Sequence, residues 1–497
     1  MKKILTLLFI LAVLTSAMWI LTSCSCNGNQ STDTDTNQNS DVNTDSNTDS
    51  NTDSNVDTGN KPNSDVSTDT GTDSNVGGTD SSDQEPEASL NFKYTLLEDG
   101  TYGIACIKAL NANEIVIPET YNGKAITAII EPGFSICRSA QSIVLPSTIK
   151  EICDSAFSGC AAISSIQLPS GLTKIGNSAF IFCSSLKSIE IPSSVTSIGE
   201  YAFASCSSLE SISVDESNAN YKSIGGNLYS KDGKTFIQYA SGNIATTFAI
   251  PNTVTKISPR AFIECKNISD ITIPSGVTVI GKEAFINCFN LTSIEIPDGV
   301  TKIESFTFAY CSSLATVKLP STLLTIKDNA FNECVSLASI ELPESLQYID
   351  NYAFAFCSSL KSIFIPFDVG VIGTGAFMGC SSLESITVDE DCISYHSIDG
   401  NLYSIDYSVF IFYAPGKTDT VFVIPNNVSI IGEKAFFGCQ SLETVVIPSS
   451  VQRIFSHAFQ NIDSLIINCE AEYMPADWEQ NWCSDECTVT LGYKENE

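Results

Sequence analysis

The sequence predicts an α/β repeat solenoid, in which short parallel strands line one face of a stack of coils and short helical turns or loops line the other. Two regularities carry this prediction. Prolines recur at a step of 23 residues within successive blocks of the chain. Cysteines keep the same step, each with a phenylalanine three positions before it, at Cys137, Cys160, Cys183, Cys206, Cys265, Cys288, Cys311, Cys334, Cys357, Cys380 and Cys439. A fixed period of this length indicates stacked coils that each contact only their neighbours.

One unit shows how a coil is expected to form. Ile189 and Ile191 alternate with a polar residue, which is the period of a short strand, and Pro192 ends that strand because it has no backbone N–H. Phe203 and Cys206 then fit one face of a short helical turn. A single coil has no second layer to cover its apolar side, so stability must come from stacking, at about 1.5–3 kcal/mol for each large buried side chain.

The period is broken twice, by insertions near residues 215–250 and 389–424. The two insertions resemble each other, since both contain Gly-Asn-Leu-Tyr-Ser and both carry a later tyrosine, Tyr239 in the first and Tyr413 in the second. An Asp-Gly pair between two apolar segments of the first insertion is a hairpin signal. We therefore predict two enlarged coils, each with a β-hairpin that stands off the solenoid.

The N-terminal region predicts export and lipid attachment. Residues 1–23 read as a signal peptide, with Lys2 and Lys3 before an apolar run. The Leu-Thr-Ser-Cys that ends at Cys24 resembles a lipobox, whose cysteine thiol receives diacylglycerol. Residues 24–88, rich in Ser, Thr, Asp and Asn, predict a disordered tether, because they hold too little apolar surface to fold. A calcium loop is disfavoured there, since the required glycine and bidentate glutamate are missing.

The repeat unit reads L-x-x-I-x-I-P-x-x-V-x-x-I-G-x-x-A-F-x-x-C-x-x, and it resembles the unit of the BspA-type leucine-rich-repeat surface proteins. The resemblance runs from about residue 92 to the C-terminus. It makes residues 89–136 the opening coil or coils, 137–467 a leucine-rich-repeat solenoid and 468–497 a closing cap. It implies display on the cell surface and binding to host or matrix proteins or to other microbes, but it assigns no binding residues.

The charge balance excludes two classes of partner. The chain has 57 acidic and 25 basic residues, and a net charge of −32. No excess of cations is left to neutralise phosphates, so we expect no nucleic acid partner. Electrostatic adhesion to anionic lipid is excluded for the same reason, which leaves the lipid anchor as the only expected contact with a membrane.

The sequence offers no catalytic, cofactor or metal site. The two histidines, His396 and His457, lie far apart in sequence, and no phosphate-binding or dinucleotide motif opens a helix. Single cysteines 23 residues apart do not form a chelating knuckle. We therefore expect a non-catalytic protein without a cofactor or a metal ion.

The eleven cysteines that recur with the 23-residue step, named here the thiol ladder, are predicted to be buried free thiols. Each occupies the same place in its coil, so their side chains run in parallel, whereas a disulfide needs converging Cβ vectors. The cap contains three further cysteines, Cys469, Cys483 and Cys487. One disulfide among these three stays open as an alternative to free thiols.

The strand residues that point away from the core form the candidate binding surface. Four positions before each proline the residue is nearly always Ser or Thr, as at Ser142, Ser165, Ser188, Ser293, Thr316, Ser339, Ser362 and Thr444. Two positions before each proline the residues vary, and this column supplies the candidate binding residues Glu190, Glu295, Lys318, Glu341 and Phe364. The alternative is binding through the two hairpins, with Tyr239 and Tyr413 as the contact residues.

These features together predict an exported protein, lipid-anchored to the bacterial membrane and displayed on the cell surface. We expect it to act as an adhesin or interaction module that binds a host or matrix protein, a glycan or another microbial surface. The alternative is a structural or envelope-organising surface lipoprotein without an external ligand.

Overall fold

A computed structural model of the protein describes residues 91–110 and 112–494. The predicted signal peptide, Cys24 and the tether of residues 24–88 lie outside the described residues. The described repeats belong to one compact unit.

Short strands joined by turns build the opening part and the first run of coils. The opening strands β1 and β2 form an antiparallel pair, and β2 continues into the parallel array through β5. The strands of this region are β1 (Phe92–Leu96), β2 (Tyr102–Cys106), β3 (Glu114–Val116), β4 (Thr120–Tyr121), β5 (Lys124–Ile129), β6 (Ser142–Val144), β7 (Glu151–Ile152), β8 (Lys174–Ile175), β9 (Ser188–Ile191), β10 (Ser197–Ile198) and β11 (Ser211–Val214).

The middle of the array begins with the first insertion and contains β12 (Tyr221–Ile224), β13 (Asn227–Ser230), β14 (Thr235–Gln238), β15 (Thr247–Ala249), β16 (Lys256–Ile257), β17 (Asp270–Thr272), β18 (Val279–Ile280), β19 (Ser293–Glu295), β20 (Lys302–Ile303), β21 (Thr316–Lys318), β22 (Thr325–Ile326), β23 (Tyr348–Ile349), β24 (Ser362–Ile365), β25 (Val371–Ile372) and β26 (Ser385–Val388). The last part begins with the second insertion and contains β27 (Tyr395–Ile398), β28 (Asn401–Ser404), β29 (Val409–Phe412), β30 (Val421–Val423), β31 (Ile430–Ile431), β32 (Thr444–Ile447), β33 (Arg453–Ile454), β34 (Ile466–Cys469) and β35 (Thr488–Leu491).

Each regular coil has three sides, and the coil that contains β9 and β10 shows the arrangement. The strand before the proline pairs in parallel with its equivalent one coil on, so that Ser188 lies opposite Ser211. The two-residue strand that follows belongs to a second parallel sheet, in which Ile198 lies opposite Ile175. The third side is the turn segment that carries Phe203. The predicted solenoid of stacked coils with parallel strands is therefore confirmed.

The turn side differs from the prediction. The described residues contain no α-helix, so the predicted short helical turns are wrong. Backbone N–H groups on this side donate to the next coil: Phe157 to the carbonyl of Ala179 and Gly159 to that of Ile181, both at 2.8 Å. Residues on either side of the phenylalanine have positive φ, 55° at Ser155 and 70° at Gly159, which breaks any helix. Consecutive turns therefore hold the apolar residues in place by hydrogen bonds between coils.

The core is a stack of identical side chains. The rings of Phe285, Phe308, Phe331 and Phe354 follow one another at centroid distances of 5.3, 5.4 and 5.3 Å, with planes within 10° of parallel. Offset stacking at such distances is a favourable arrangement for aromatic rings. These four rings are fully buried, as stacking of equivalent residues requires.

The thiol ladder has a structural reason that the sequence did not reveal. In regular coils the cysteine Sγ donates to the carbonyl of the phenylalanine one coil back, at 3.1 to 3.3 Å, as at Cys160, Cys183, Cys206, Cys288, Cys311, Cys334, Cys357 and Cys380. All of these thiols are free and buried, as predicted. A cysteine at this place is small and apolar, and it still supplies a donor that links two coils.

The two insertions lie inside the array, so the prediction that they stand off the solenoid is wrong. The strands β12, β13 and β14 are antiparallel neighbours, and β14 then pairs in parallel with β16 of the next coil. Leu228 of β13 packs into the core of the preceding coils, whereas Tyr229 packs into the core of the following coils. The second insertion repeats this with Leu402 and Tyr403 of β28. Each central hairpin strand therefore forms a wall between two cores.

The described C-terminal residues close the last core. The rings of Trp478 and Trp482 are 6% and 3% exposed. Trp482 meets Phe459, the last phenylalanine of the stack, edge to face at 5.7 Å. The outermost strand β35 pairs with β34. Large indole rings thus cover the end of the stack, which would otherwise expose apolar residues.

Candidate interaction surface

The strand face, defined here as the outward side chains of the strands that precede the prolines, alternates as predicted. In β9, Ile189 and Ile191 are buried and Ser188 and Glu190 are exposed. The same pattern holds in β24, where Phe364 is 50% exposed between buried isoleucines. The period of two therefore places the predicted column of varied residues in solvent.

A charged cluster lies in the middle of the strand face. Glu295 and Lys318 lie opposite each other in β19 and β21, and the carboxylate accepts from the ammonium at 2.6 Å. This hydrogen bond raises the pKa of Lys318 above its usual value. Such an exposed pair adds little stability, but it fixes where two opposite charges stand. Glu341 is exposed one coil further on, in a segment without strand assignment, and forms no ion pair among the described residues.

A shallow depression of about 810 Å³ lies at the N-terminal part of the strand face. Its lining brings together the predicted residues Ser165, Ser188 and Glu190, and it also includes Asp215, which the sequence analysis missed. The hydroxyl and backbone N–H of Ser217 donate to Asp215 and keep the pKa of this carboxyl low. The depression therefore presents two carboxylates beside a row of hydroxyl groups.

An apolar region occupies the C-terminal part of the strand face. At the end of the second insertion, Val421 and Val423 of β30 are 56% and 54% exposed. Val423 and Phe364 stand two residues before a proline, the position that Glu190 and Glu295 hold in other coils. Neither valine was among the predicted binding residues, although Val423 stands two residues before Pro425 and keeps the proline step.

The two tyrosines proposed as an alternative site are not on the surface. Tyr239 and Tyr413 are each 1% exposed, and they occupy the place of the phenylalanine in their coils. The N–H of Tyr239 donates to Ala261 at 2.8 Å, and its ring stacks on Phe262 at 5.5 Å. Burial raises the pKa of Tyr239 to about 12. The hairpin site is therefore corrected: these side chains are core residues.

The described residues contain no cluster of potential metal ligands, and the two histidines have different surroundings. Within 91–110 and 112–494 no group of three or more histidine, cysteine or acidic side chains is placed to hold a metal ion. His396 packs against the ring of Tyr407 at 4.9 Å, and His457 lies at a turn with a φ of 59°. In this part of the chain there is also no helix of the length and apolarity that crossing a membrane requires.

Comparison with known proteins places the repeats in a family. The family model described as "BspA type Leucine rich repeat region (6 copies)" matches residues 127–242, 237–323, 278–410 and 403–473, which together span more than half of the chain. No functionally curated protein matches the chain.

Several solved structures are similar to this chain. A leucine-rich repeat protein from Eubacterium ventriosum is 27% identical over 59% of this chain and 93% of its own, with a TM-score of 0.46. A leucine rich cell surface protein from Faecalibacterium prausnitzii is 26% identical over 78% and 76%, with a TM-score of 0.37. The pneumococcal vaccine antigen PcpA is 18% identical over 80% and 96%, with a TM-score of 0.37. The extent of the family match settles the classification: the chain belongs to the BspA-type leucine-rich-repeat family.

Proposed function

We propose that the protein is a non-catalytic adhesin or interaction module, exported and lipid-anchored at Cys24, that binds through its strand face. The observation that carries the proposal is the composition of that face. Several short parallel sheets present a hydroxyl row, with carboxylates beside the exposed Val144 near one end, the Glu295–Lys318 pair in the middle and exposed apolar residues at the other end. The family and the cell-surface protein of Faecalibacterium prausnitzii support display outside the cell.

The partner class follows from the distribution of side chains. An exposed aromatic residue such as Phe364 among smaller residues is the kind of side chain that anchors protein interfaces. Hydroxyls and carboxylates beside the Ser188 row suit hydrogen bonds from a peptide or a glycan. We therefore propose a host or matrix protein, a glycan or another microbial surface as the partner, with a largely apolar contact at Phe364 and a polar contact at Glu190.

The binding test compares matched aromatic substitutions on two sides of the solenoid. Phe364→Ala should weaken attachment to immobilised matrix proteins, mucin or microbial cells roughly tenfold, the usual size of an anchor residue's contribution. Tyr348→Ala is the control, because Tyr348 is 45% exposed on β23, outside the strand face. Equal loss in both variants, or loss in neither, contradicts the proposed surface.

The charged cluster is tested separately. Reversal of Glu295 and Glu341 to lysine leaves three cations at the middle of the strand face and should weaken the same attachment. If neither this variant nor Phe364→Ala alters attachment while the protein reaches its normal location, the envelope-organising alternative replaces the adhesin.

The anchor is tested by membrane fractionation. Cys24→Ser should abolish acylation and release soluble protein or uncleaved precursor, because no other residue of the lipobox carries a thiol. Cys26→Ser is the matched control, and it should leave the protein in the membrane fraction. Acylation of the Cys24 variant would exclude this anchor.

A further inference from the structure

The cap contains a pair of cysteines whose surroundings differ from those of the ladder. Cys483 and Cys487 are half-buried, whereas ladder thiols such as Cys311 are fully buried. A ladder thiol donates to a phenylalanine carbonyl inside the core, out of reach of a reagent in solvent. Of the described cysteines, Cys153, Cys483 and Cys487 are not fully buried, and only the two cap cysteines lie together where a dissolved reagent can meet a pair of thiols.

The fold brings both cap cysteines to the same point of the preceding coil. Cys483 is bridged to Phe459 through the backbone, and the N–H of Ser484 donates to the Phe459 carbonyl at 3.2 Å. A turn then closes from Ser484 to Cys487, whose N–H donates back to the Ser484 carbonyl at 3.1 Å. The Sγ of Cys487 ends 3.8 Å from the same Phe459 carbonyl. The side chains of Cys483 and Cys487 thus lie close enough for a hydrogen bond between them.

The two cap thiols also differ in acidity, because a hydrogen bond between their side chains shifts their pKa values in opposite directions. The thiol of Cys483 donates to the sulfur of Cys487, and the hydroxyl of Ser484 lies 3.4 Å from that sulfur. The hydrogen bond from Cys483 lowers the pKa of Cys487 to about 6, and the same contact raises the pKa of Cys483. Cys487 is therefore the more acidic of the two thiols.

We propose that Cys483 and Cys487 form an exchange-active dithiol that low-molecular-weight disulfides convert to a disulfide, which locks the cap. The Cys487 thiolate attacks one sulfur of the disulfide RSSR, forms a mixed disulfide and releases one RS⁻, which takes a proton from solvent. The Cys483 sulfur, after losing its proton, attacks Cys487 and expels the second RS⁻. Two thiols of the protein are oxidised and one RSSR is reduced to two RSH.

The expected consequence follows from the place of the pair in the cap. Thr488, the first residue of the outermost strand β35, comes directly after Cys487. Ends of a repeat array have neighbours on one side and open before its middle. A disulfide would join Cys487 to Cys483, and Cys483 is paired through its backbone with Phe459 of the last regular coil. The disulfide would therefore hold the start of β35 close to that coil. The oxidised cap should therefore open later in denaturant than the reduced cap.

The exchange is tested on the full chain with glutathione disulfide as the probe, followed by alkylation and mass spectrometry of peptides. The Cys483–Cys487 disulfide should form while Cys311 and the other ladder thiols stay alkylatable only after denaturation. Cys483→Ser should stop at a glutathione mixed disulfide on Cys487. Cys487→Ser should slow the reaction at Cys483 by about tenfold or more, because burial and the nearby Asp485 still keep the pKa of the remaining thiol raised. Cys469→Ser is the control and should react like the unsubstituted chain.

The opening of the cap has its own reporter. The chain has three tryptophans, and Trp19→Phe leaves Trp478 and Trp482, both in the cap. Their emission should shift at a higher guanidinium concentration after oxidation, and this shift should be absent in Cys483→Ser. Closure that uses Cys469 or a ladder thiol, equal rates in the Cys483 and Cys487 variants, or no reaction at either residue overturns the dithiol. Closure without a shift in cap opening overturns the lock.

Discussion

The regular coils and the two enlarged coils solve the same stacking problem differently. A regular coil places a phenylalanine in the core and a cysteine three residues later, whose thiol donates to the coil before it. An enlarged coil keeps an aromatic side chain at the phenylalanine position, Tyr239 or Tyr413, but has a glycine at the cysteine position. A Cβ at Gly242 would lie 2.3 Å from the carbonyl carbon of Ser208, so no larger residue fits. The aromatic stack is therefore the element that the array retains when both sheets and the thiol ladder are interrupted.

The two enlarged coils also differ from each other on the turn side. After the first insertion, the guanidinium of Arg260 lies over the ring of Tyr201, 4.3 Å from its centroid, and pairs with Glu283. After the second, Lys434 lies over Tyr352 at 5.5 Å, because Gly375 provides no side chain where Tyr201 stands in the first copy. Both copies thus place a cation over an aromatic ring across the insertion, but they use different coils to do so.

The largest expected loss of stability comes from a substitution at the phenylalanine position of a regular coil. Phe308 is fully buried between two stacked rings, and Phe308→Asp places an unpaired carboxylate there. Loss of the ring alone costs about 3–5 kcal/mol, and the buried charge adds to this. We expect thermal unfolding to show a chain that is largely unfolded or has lost the surrounding coils.

Removal of a whole coil is the matched comparison. Deletion of residues 288–310, one full period, brings equivalent positions together and restores nearest-neighbour stacking. The shortened protein should remain folded, with a melting temperature close to that of the full chain. If the deletion is as damaging as Phe308→Asp, the coils are not equivalent units.

A smaller effect should separate a regular coil from the coil that follows an insertion. The thiol of Cys288 donates to the Phe262 carbonyl at 3.1 Å, whereas the backbone acceptor of the Cys265 thiol is the more distant Ile263 carbonyl at 4.0 Å. The carbonyl that Cys265 would otherwise reach, that of Tyr239, accepts from the Gln238 amide at 3.1 Å. Cys288→Ala should therefore cost about 0.5–1.5 kcal/mol more than Cys265→Ala in chemical denaturation. Equal costs would mean that the thiol hydrogen bonds contribute nothing.

The smallest effect compares the two enlarged coils directly. The hydroxyl of Tyr413 lies 3.2 Å from Asp419, whereas the buried hydroxyl of Tyr239 has no hydrogen-bond partner among the described residues. Tyr413→Phe should thus lower the free energy of unfolding by about 0.5–1.5 kcal/mol, and Tyr239→Phe should leave it unchanged or raise it slightly. Chemical denaturation of the two single variants decides, and a cost at Tyr239 equal to that at Tyr413 contradicts the assignment.

The sequence predicted those features that follow directly from periodicity. The step of 23 places each phenylalanine on its equivalent, and the period of two exposes Glu190 and Phe364. The helical turns were predicted wrongly because residues such as Phe157 and Cys160, three apart, fit one face of a helical turn and a run of tight turns equally well. Only the direction of the N–H bonds, from Phe157 to the next coil, distinguishes the two, and spacing does not encode that direction.

Adjacent apolar residues in the insertions indicate that their central strands are buried. Leu228 and Tyr229 are adjacent, large and apolar, and side chains of adjacent strand residues point to opposite faces. A strand that is apolar on both faces is buried on both, which excludes a hairpin standing in solvent. The exposed valines of β30 were not predicted for a different reason. The insertion interrupts the 23-residue step of the column that stands two positions before each proline.

The walls formed by β13 and β28 have a mechanical consequence. They separate the three large cores of the described residues, which meet between Leu228 and Tyr229 and again between Leu402 and Tyr403, while a small turn-side cluster that includes Ala204 and Ile263 also crosses the first wall. A protein attached at one end and held by a partner elsewhere is placed under tension. With the interior divided in this way, such a chain yields one section at a time, so that the remaining sections stay closed while the first extends. Pulling on single molecules should therefore give separate steps of extension that correspond to these sections, where an undivided array would give a continuous peeling of coils.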